Sequence, residues 1–228
     1  MLAPTICACK LFLGVVQAGG PEPAEYFAGA PLVLLNTFIV GPMITFVAIP
    51  VWDKLWGVWG YESAEQRLAA YPTSAEFILS MVAFLLIEEV GFYYSHRLAH
   101  HKSLYGWIHK IHHEYKAPIA YAAVYAHPIE HIIVNVAPVV AGPVLMGSHP
   151  CTATAWVILA LIYTTNSHCG YFFLPYGSPE GHDWHHEKFD EIYGVIGLLD
   201  WFHGTDTRYR EEQKRRDAAQ LAASSKTE

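Results

Sequence analysis

The chain predicts an all-α integral membrane protein, with about four membrane-embedded helices and a cytosolic helical cap that carries three histidine boxes. Three observations predict it. Only 15% of the 228 residues are Asp, Glu, Lys or Arg while 53% are hydrophobic, against roughly 25% charged in an ordinary soluble domain. Long runs carry no charge at all. Finally, the 14 histidines equal Lys and Arg combined, and in so apolar a chain each must be hydrated, hydrogen-bonded or liganded. The net charge of −7 argues against a nucleic-acid partner, because phosphate neutralisation needs a basic face.

Taken in order, Leu2 to Ala18 is apolar with Lys10 in its middle, like a weak signal sequence or the stump of another hydrophobic segment. No charge occurs from Tyr26 to Trp52, and Pro31 to Pro50 is long enough for a first span. Phe77 to Tyr94 is a second, interrupted only by Glu88 and Glu89. From His131 to Pro179 there is again no charge, with a break at Gly147, Ser148, His149 and Pro150. That length predicts a helical hairpin, its first arm kinked or re-entrant because of Pro138 and Pro143. The chain thus divides into an N-terminal region with the first span (1–74), a histidine-box domain (75–210) and a polar tail (211–228) that reads as a solvated helix fraying into disorder.

Topology follows from parity. Two crossings before residue 95, and two or none between 131 and 179, leave segments 95–130 and 180–228 on one face. Apart from Lys10, Lys54 and Arg67, all the basic residues lie there, so the positive-inside rule puts the histidine face in the cytosol. Cys7, Cys9, Cys151 and Cys169 form neither a CxxC pair nor a disulfide framework, as expected of a cytosol-facing protein.

The boxes are His96-Arg97-Leu98-Ala99-His100-His101, His109-Lys110-Ile111-His112-His113 and His182-Asp183-Trp184-His185-His186. On a helix, positions i, i+3 and i+4 share a face, so His96/His100, His109/His112/His113 and His182/His185/His186 each converge. Eight imidazoles are a plausible complement for two transition-metal ions; imidazole suits Fe, Zn or Cu. His101, His127, His131 and His168 are secondary metal candidates, and His149 and His203 read as structural. One and two turns before the first box on the same stripe lie Tyr93 and Glu89, candidates to tune the ligands, with Glu89 orienting an imidazole. Glu88 points elsewhere. His127-Pro128-Ile129-Glu130-His131 matches the HxxEH pattern of inverted zinc peptidases, and also reads as a helix N-cap followed by proline. Glu-x-x-His, HExxH, GxSxG and phosphate loops are absent from the sequence, which excludes the carboxylate-bridged di-iron bundles on their own signature. An all-imidazole dinuclear site at a membrane face fits O2 activation on a lipid substrate.

HRLAHH, HKIHHEYKAP and HDWHHEKF resemble the three histidine boxes of the fatty acid hydroxylase superfamily, over about residues 75 to 210. YAHPIEH, SHCGY and YGVIGLLDWFHGTD resemble one branch of it. The resemblance implies a multi-pass endoplasmic-reticulum membrane enzyme with a non-haem di-iron centre (two Fe). It would use O2 and electrons from NAD(P)H, usually relayed by cytochrome b5, to hydroxylate a sterol (C4-methyl type) or fatty acyl lipid. Carried over residue by residue, the ligands are His96, His100, His109, His112, His113, His182, His185 and His186. The sequence departs from fatty acid 2-hydroxylases, which have a further HxxxH pair before the third box; here His168 is followed four residues later by Phe172. The N-terminal region is short for the family, as in a compact isoform. Rival readings are a lipid desaturase with the same boxes, a zinc hydrolase on His127, Glu130 and His131, and a non-catalytic membrane regulator with a structural metal.

Overall fold

A computed structural model describes residues 23–116, 118–170 and 179–225; among them every regular element is helical and there is no strand. The apolar segment 2–18, Cys7, Cys9 and Phe172 lie outside the described residues. Helix α1 (Pro23–Leu35) passes through a π-helical turn at Asn36–Val40 into α2 (Gly41–Val58). Pro42 explains the turn, since it has no N–H to donate one turn back and the ladder must change register. The wider turn carries Asn36 into the interior, where its Nδ2 donates to the carbonyls of Val124 (2.9 Å) and Ala126 (2.8 Å).

After the short α3 (Ala64–Ala69), capped by Ser63, the long helix α4 (Ser74–Ala99) begins at a reciprocal capping box between Thr73 and Glu76. Its 26 residues extend about 39 Å. Ile78, Leu79, Val82, Leu86 and Val90 are exposed along it, whereas Glu88, Glu89, Tyr93 and His96 are buried. Apolar outside and polar inside is the reverse of a soluble helix.

The hairpin enters through α5 (Pro128–Glu130), a second π-helical turn (His131–Val136) and α6 (Ala137–Leu145). A proline, Pro138, again follows the widened turn. Helix α7 (Pro150–His168) returns. Helix α6 lies directly against α4: a Cβ on Gly142 would stand 2.9 Å from the Phe84 Cα and 2.8 Å from its ring, so only glycine allows this approach. The Trp156 ring of α7 meets Phe84 edge-on at 5.7 Å, and its Nε1 donates to Val139 O. At the hairpin turn Gly147 has φ +53°, and its carbonyl accepts from Arg67 Nε (2.9 Å). Nearby Trp59 Nε1 donates to Leu145 O, and His149 caps α7 while its Nε2 bonds Leu68 O. The loop after α2 and the hairpin turn therefore form one end of the molecule.

At the other end lie the histidines, with α8 (Pro179–Lys188), α9 (Leu198–His203) and the exposed α10 (Thr207–Ser224). The stretches Phe27–Val58 and Pro128–Leu145 are long and apolar enough to cross a bilayer, which fits a membrane protein. One expectation needs correction. The second box is not α-helical: Tyr105–His109 is a π-helical turn and His112–Glu114 a 3-10 turn. The polar tail continues α10, which runs from Thr207 to Ser224.

Candidate metal centre

Nine histidines meet in two adjoining clusters, His96, His100, His109, His113 and His185 in one and His112, His168, His182 and His186 in the other; within each, the donor nitrogens lie within 4.8 Å of one another. The end of α4 supplies His96 and His100, the irregular segment after it supplies His109, His112 and His113, the last residue of α7 is His168, and α8 supplies the rest. The rings of His113 and His186, one from each cluster, have centroids 4.5 Å apart.

The boxes do not each converge on one point. His109 and His113 face the first cluster and His112 the second; His185 faces the first, His182 and His186 the second. Neighbouring positions on a helix diverge by about 100°, so the doublets of the second and third boxes, His112-His113 and His185-His186, each serve both clusters, while His101 beside His100 joins neither. The eight box histidines become nine, sorted five and four, because His168 joins the second set. His101 is exposed, its Nδ1 accepting from Ser103 N. His127 accepts from Ile129 N as the N-cap of α5, and His131 lies beside Asn135. None of these three is in a cluster, and they form no HxxEH zinc site with Glu130. His203 stacks on Tyr93.

Outer partners fix the tautomers. The Nδ1–H groups of His96, His112, His168 and His185 donate to the carbonyls of Tyr193 (2.9 Å), Tyr125 (3.2 Å), Thr164 (2.8 Å) and Glu191 (2.7 Å). His109 Nδ1 donates to Glu130 Oε1 at 2.7 Å. A carbonyl can only accept, so each proton sits on Nδ1 and each Nε2 presents a bare lone pair inward. Burial pushes His112 down to about 4, and burial with the neighbouring imidazoles holds His109, His113, His182, His185 and His186 well below the usual histidine value. The rings are therefore neutral. Yet His96 Nε2 and His109 Nε2 stand 3.2 Å apart, and His100 Nε2 faces three further Nε2 atoms at 2.8–3.2 Å. One proton cannot serve three such contacts. Converging imidazole nitrogens fit a bound transition metal.

Glu89 does not orient an imidazole directly. Its carboxylate accepts from the backbone N–H groups of Val195 (2.7 Å), Ile196 (2.9 Å) and Leu199 (2.9 Å). Asp200, fully buried, accepts from Tyr193 N, Gly194 N and the Thr205 hydroxyl. Together they clamp the strap after α8, whose Tyr193 carbonyl holds His96. A Cβ on Gly194 would lie 2.8 Å from both carboxylates. Phe189 and Ile192, at φ +68° and +60°, turn the strap back so that Glu191 O reaches His185. Tyr93 bonds Thr205 and accepts from Arg97, braced against the strap rather than the clusters. Sequence reasoning missed Glu130 as the carboxylate behind a ligand candidate; the signal lay in the HPIEH segment, where proline after a capping histidine starts a helical turn that aims Glu130 inward.

The fatty acid hydroxylase family profile matches residues 81–205. The chain is 57% identical over 202 residues to human fatty acid hydroxylase domain-containing protein 2, covering 86% of this chain and 57% of that protein. It is 36% identical over 207 residues to methylsterol monooxygenase 2-2 of Arabidopsis thaliana, covering 86% and 74%. Against very-long-chain aldehyde decarbonylase GL1-8 of Oryza sativa subsp. indica it is 37% identical over 146 residues, covering 59% and 54%. The chain thus spans a little over half the length of the first of these relatives. No solved structure matches it. The matched region runs from within α4 to just past α9 and includes every histidine of both clusters, and the chain belongs to the fatty acid hydroxylase family.

Proposed function

We propose that the protein is a membrane-bound non-haem di-iron oxygenase that hydroxylates a sterol, of the C4-methyl type, or a fatty acyl lipid. O2 is the oxidant, and NAD(P)H supplies electrons through a carrier such as cytochrome b5. The observation that carries this reading is the pair of adjoining clusters of bare imidazole nitrogens. His96, His100, His109, His113 and His185 would hold one iron and His112, His168, His182 and His186 the other. Iron so bound supplies the O2 activation that an unactivated C–H bond requires.

The chain's own residues do the rest. The carbonyls of Tyr193, Tyr125, Thr164 and Glu191 keep a proton on each Nδ1, so that every Nε2 stays aimed inward as a neutral donor. The Phe189 and Tyr105 rings pack against His113 and exclude water from that side. The lipid reaches the centre from the bilayer, because α4 and α7 present apolar rows outward and histidines at their inner ends. On this reading α2, α4, α6 and α7 are the membrane-embedded helices, in the endoplasmic reticulum, and the cap from residue 95 onward with α8–α10 is cytosolic.

The methylsterol monooxygenase relative supports the sterol side of the reading, and the family as a whole the fatty acyl side. Sterol and fatty acyl profiles of cells lacking the protein test it. Loss of a hydroxylated product, with its precursor accumulating and restored by the wild-type chain but not by His112→Ala, is expected. Loss of a double bond with no oxygenated product would replace hydroxylation by desaturation, and an unchanged profile would sink both.

A further inference from the structure

Glu130 is 1% exposed, its Oε1 lies 2.7 Å from His109 Nδ1, and its Oε2 is buried with no hydrogen-bond partner. Three other buried carboxylates near the clusters are fully engaged: Glu89 by three backbone N–H groups, Asp200 by two and a hydroxyl, and Glu191 by Trp184 Nε1 and the backbone N–H groups of Arg208 and Tyr209. No Lys or Arg pairs with Glu130 among the described residues. A carboxylate so placed is costly to bury unless positive charge reaches it. The group it touches is an imidazole whose other nitrogen faces the five-histidine cluster, so a cation on Nε2 would supply that charge through the ring.

Among the described residues, the other Nδ1 hydrogen bonds identified around the clusters, those of His96, His112, His168 and His185, all go to neutral main-chain carbonyls, and none from the four-histidine cluster goes to a carboxylate. We propose that Glu130 is a positioning residue that acts through His109 to make the five-histidine cluster the tighter of two inequivalent metal sites. The inference rests on the dinuclear reading above. It also accounts for the HPIEH segment without a zinc peptidase: His127 caps, Pro128 starts the turn, and Glu130 is the group the turn delivers.

A purely structural role would pin the 105–109 turn to α5 by the hydrogen bond alone. Glu130→Gln separates the two roles, because the amide oxygen still accepts from Nδ1–H but carries no charge. Cobalt(II) is titrated into metal-free full-length protein in detergent, and its visible ligand-field bands are followed. Wild-type protein should bind in two phases, and Glu130→Gln should weaken the tighter one by about 10- to 100-fold with altered bands, leaving the weaker phase in place. The assignment of clusters is read without touching Glu130: His168→Ala should spare the tight phase and His96→Ala should remove it. Two phases that Glu130→Gln leaves unchanged, or a tight phase lost in His168→Ala and kept in His96→Ala, would overturn this inference alone. Wild-type protein that binds no cobalt would overturn the dinuclear reading with it.

Discussion

At the residue scale, ligation depends on rings that are neutral, singly protonated on the outer nitrogen and aimed inward. His112→Ala should therefore lower the iron content of purified protein, whereas His101→Ala, on an exposed ring outside both clusters, should leave it unchanged. Equal loss in both would refute the division. Acidification should act on the metal-free protein in a defined window. Burial lowers His112 from 6.5 to about 4, so between these values the unfolded chain binds more protons than the folded one. Stability from this source is complete above about pH 6.5 and falls as pH drops toward 4. Thermal unfolding at pH 7 and pH 5 checks the sign, and a higher melting temperature at pH 5 would contradict it. The eight box histidines could be named from spacing because i, i+3 and i+4 share a helical face. Their sorting could not, since box two is irregular and the doublets His112-His113 and His185-His186 split between the clusters. His168 and His101 look alike in sequence; only the return of α7 brings the first of them in.

At the element scale, α4 and α6 touch at backbone distance, which makes Gly142 a test of the packing. Gly142→Ala forces a Cβ to 2.9 Å from the Phe84 Cα and should destabilise the protein by about 1–3 kcal/mol. The readout is unfolding in detergent, and a neutral outcome would show that the helices can separate freely. Long apolar runs and the hairpin break at Gly147–Pro150 were legible because hydrophobic length and proline act locally. The strap after α8 was not. Its shape depends on Glu89 and Asp200 gathering backbone N–H groups from a segment more than a hundred residues beyond Glu89 in the chain, and no local pattern encodes such a long-range closure. Glu89, expected to orient an imidazole, instead supports the loop whose Tyr193 carbonyl holds His96.

At the scale of the whole molecule, a polar end with the metal centre stands opposite an end formed by the hairpin turn and the loop after α2. Helix α7 separates Cys151 from His168 by about 25 Å, so the orientation proposed above predicts that exposed Cys151 reacts with an impermeant maleimide only from the lumenal side of sealed vesicles. Labelling from the cytosolic side would invert the orientation. A dinuclear iron centre fixes a stoichiometry that iron counting reads. Detergent-purified wild-type protein, reconstituted anaerobically with Fe(II), should hold about two irons per chain. A stoichiometry of one, or preferential retention of a single zinc, would rule out the dinuclear iron centre.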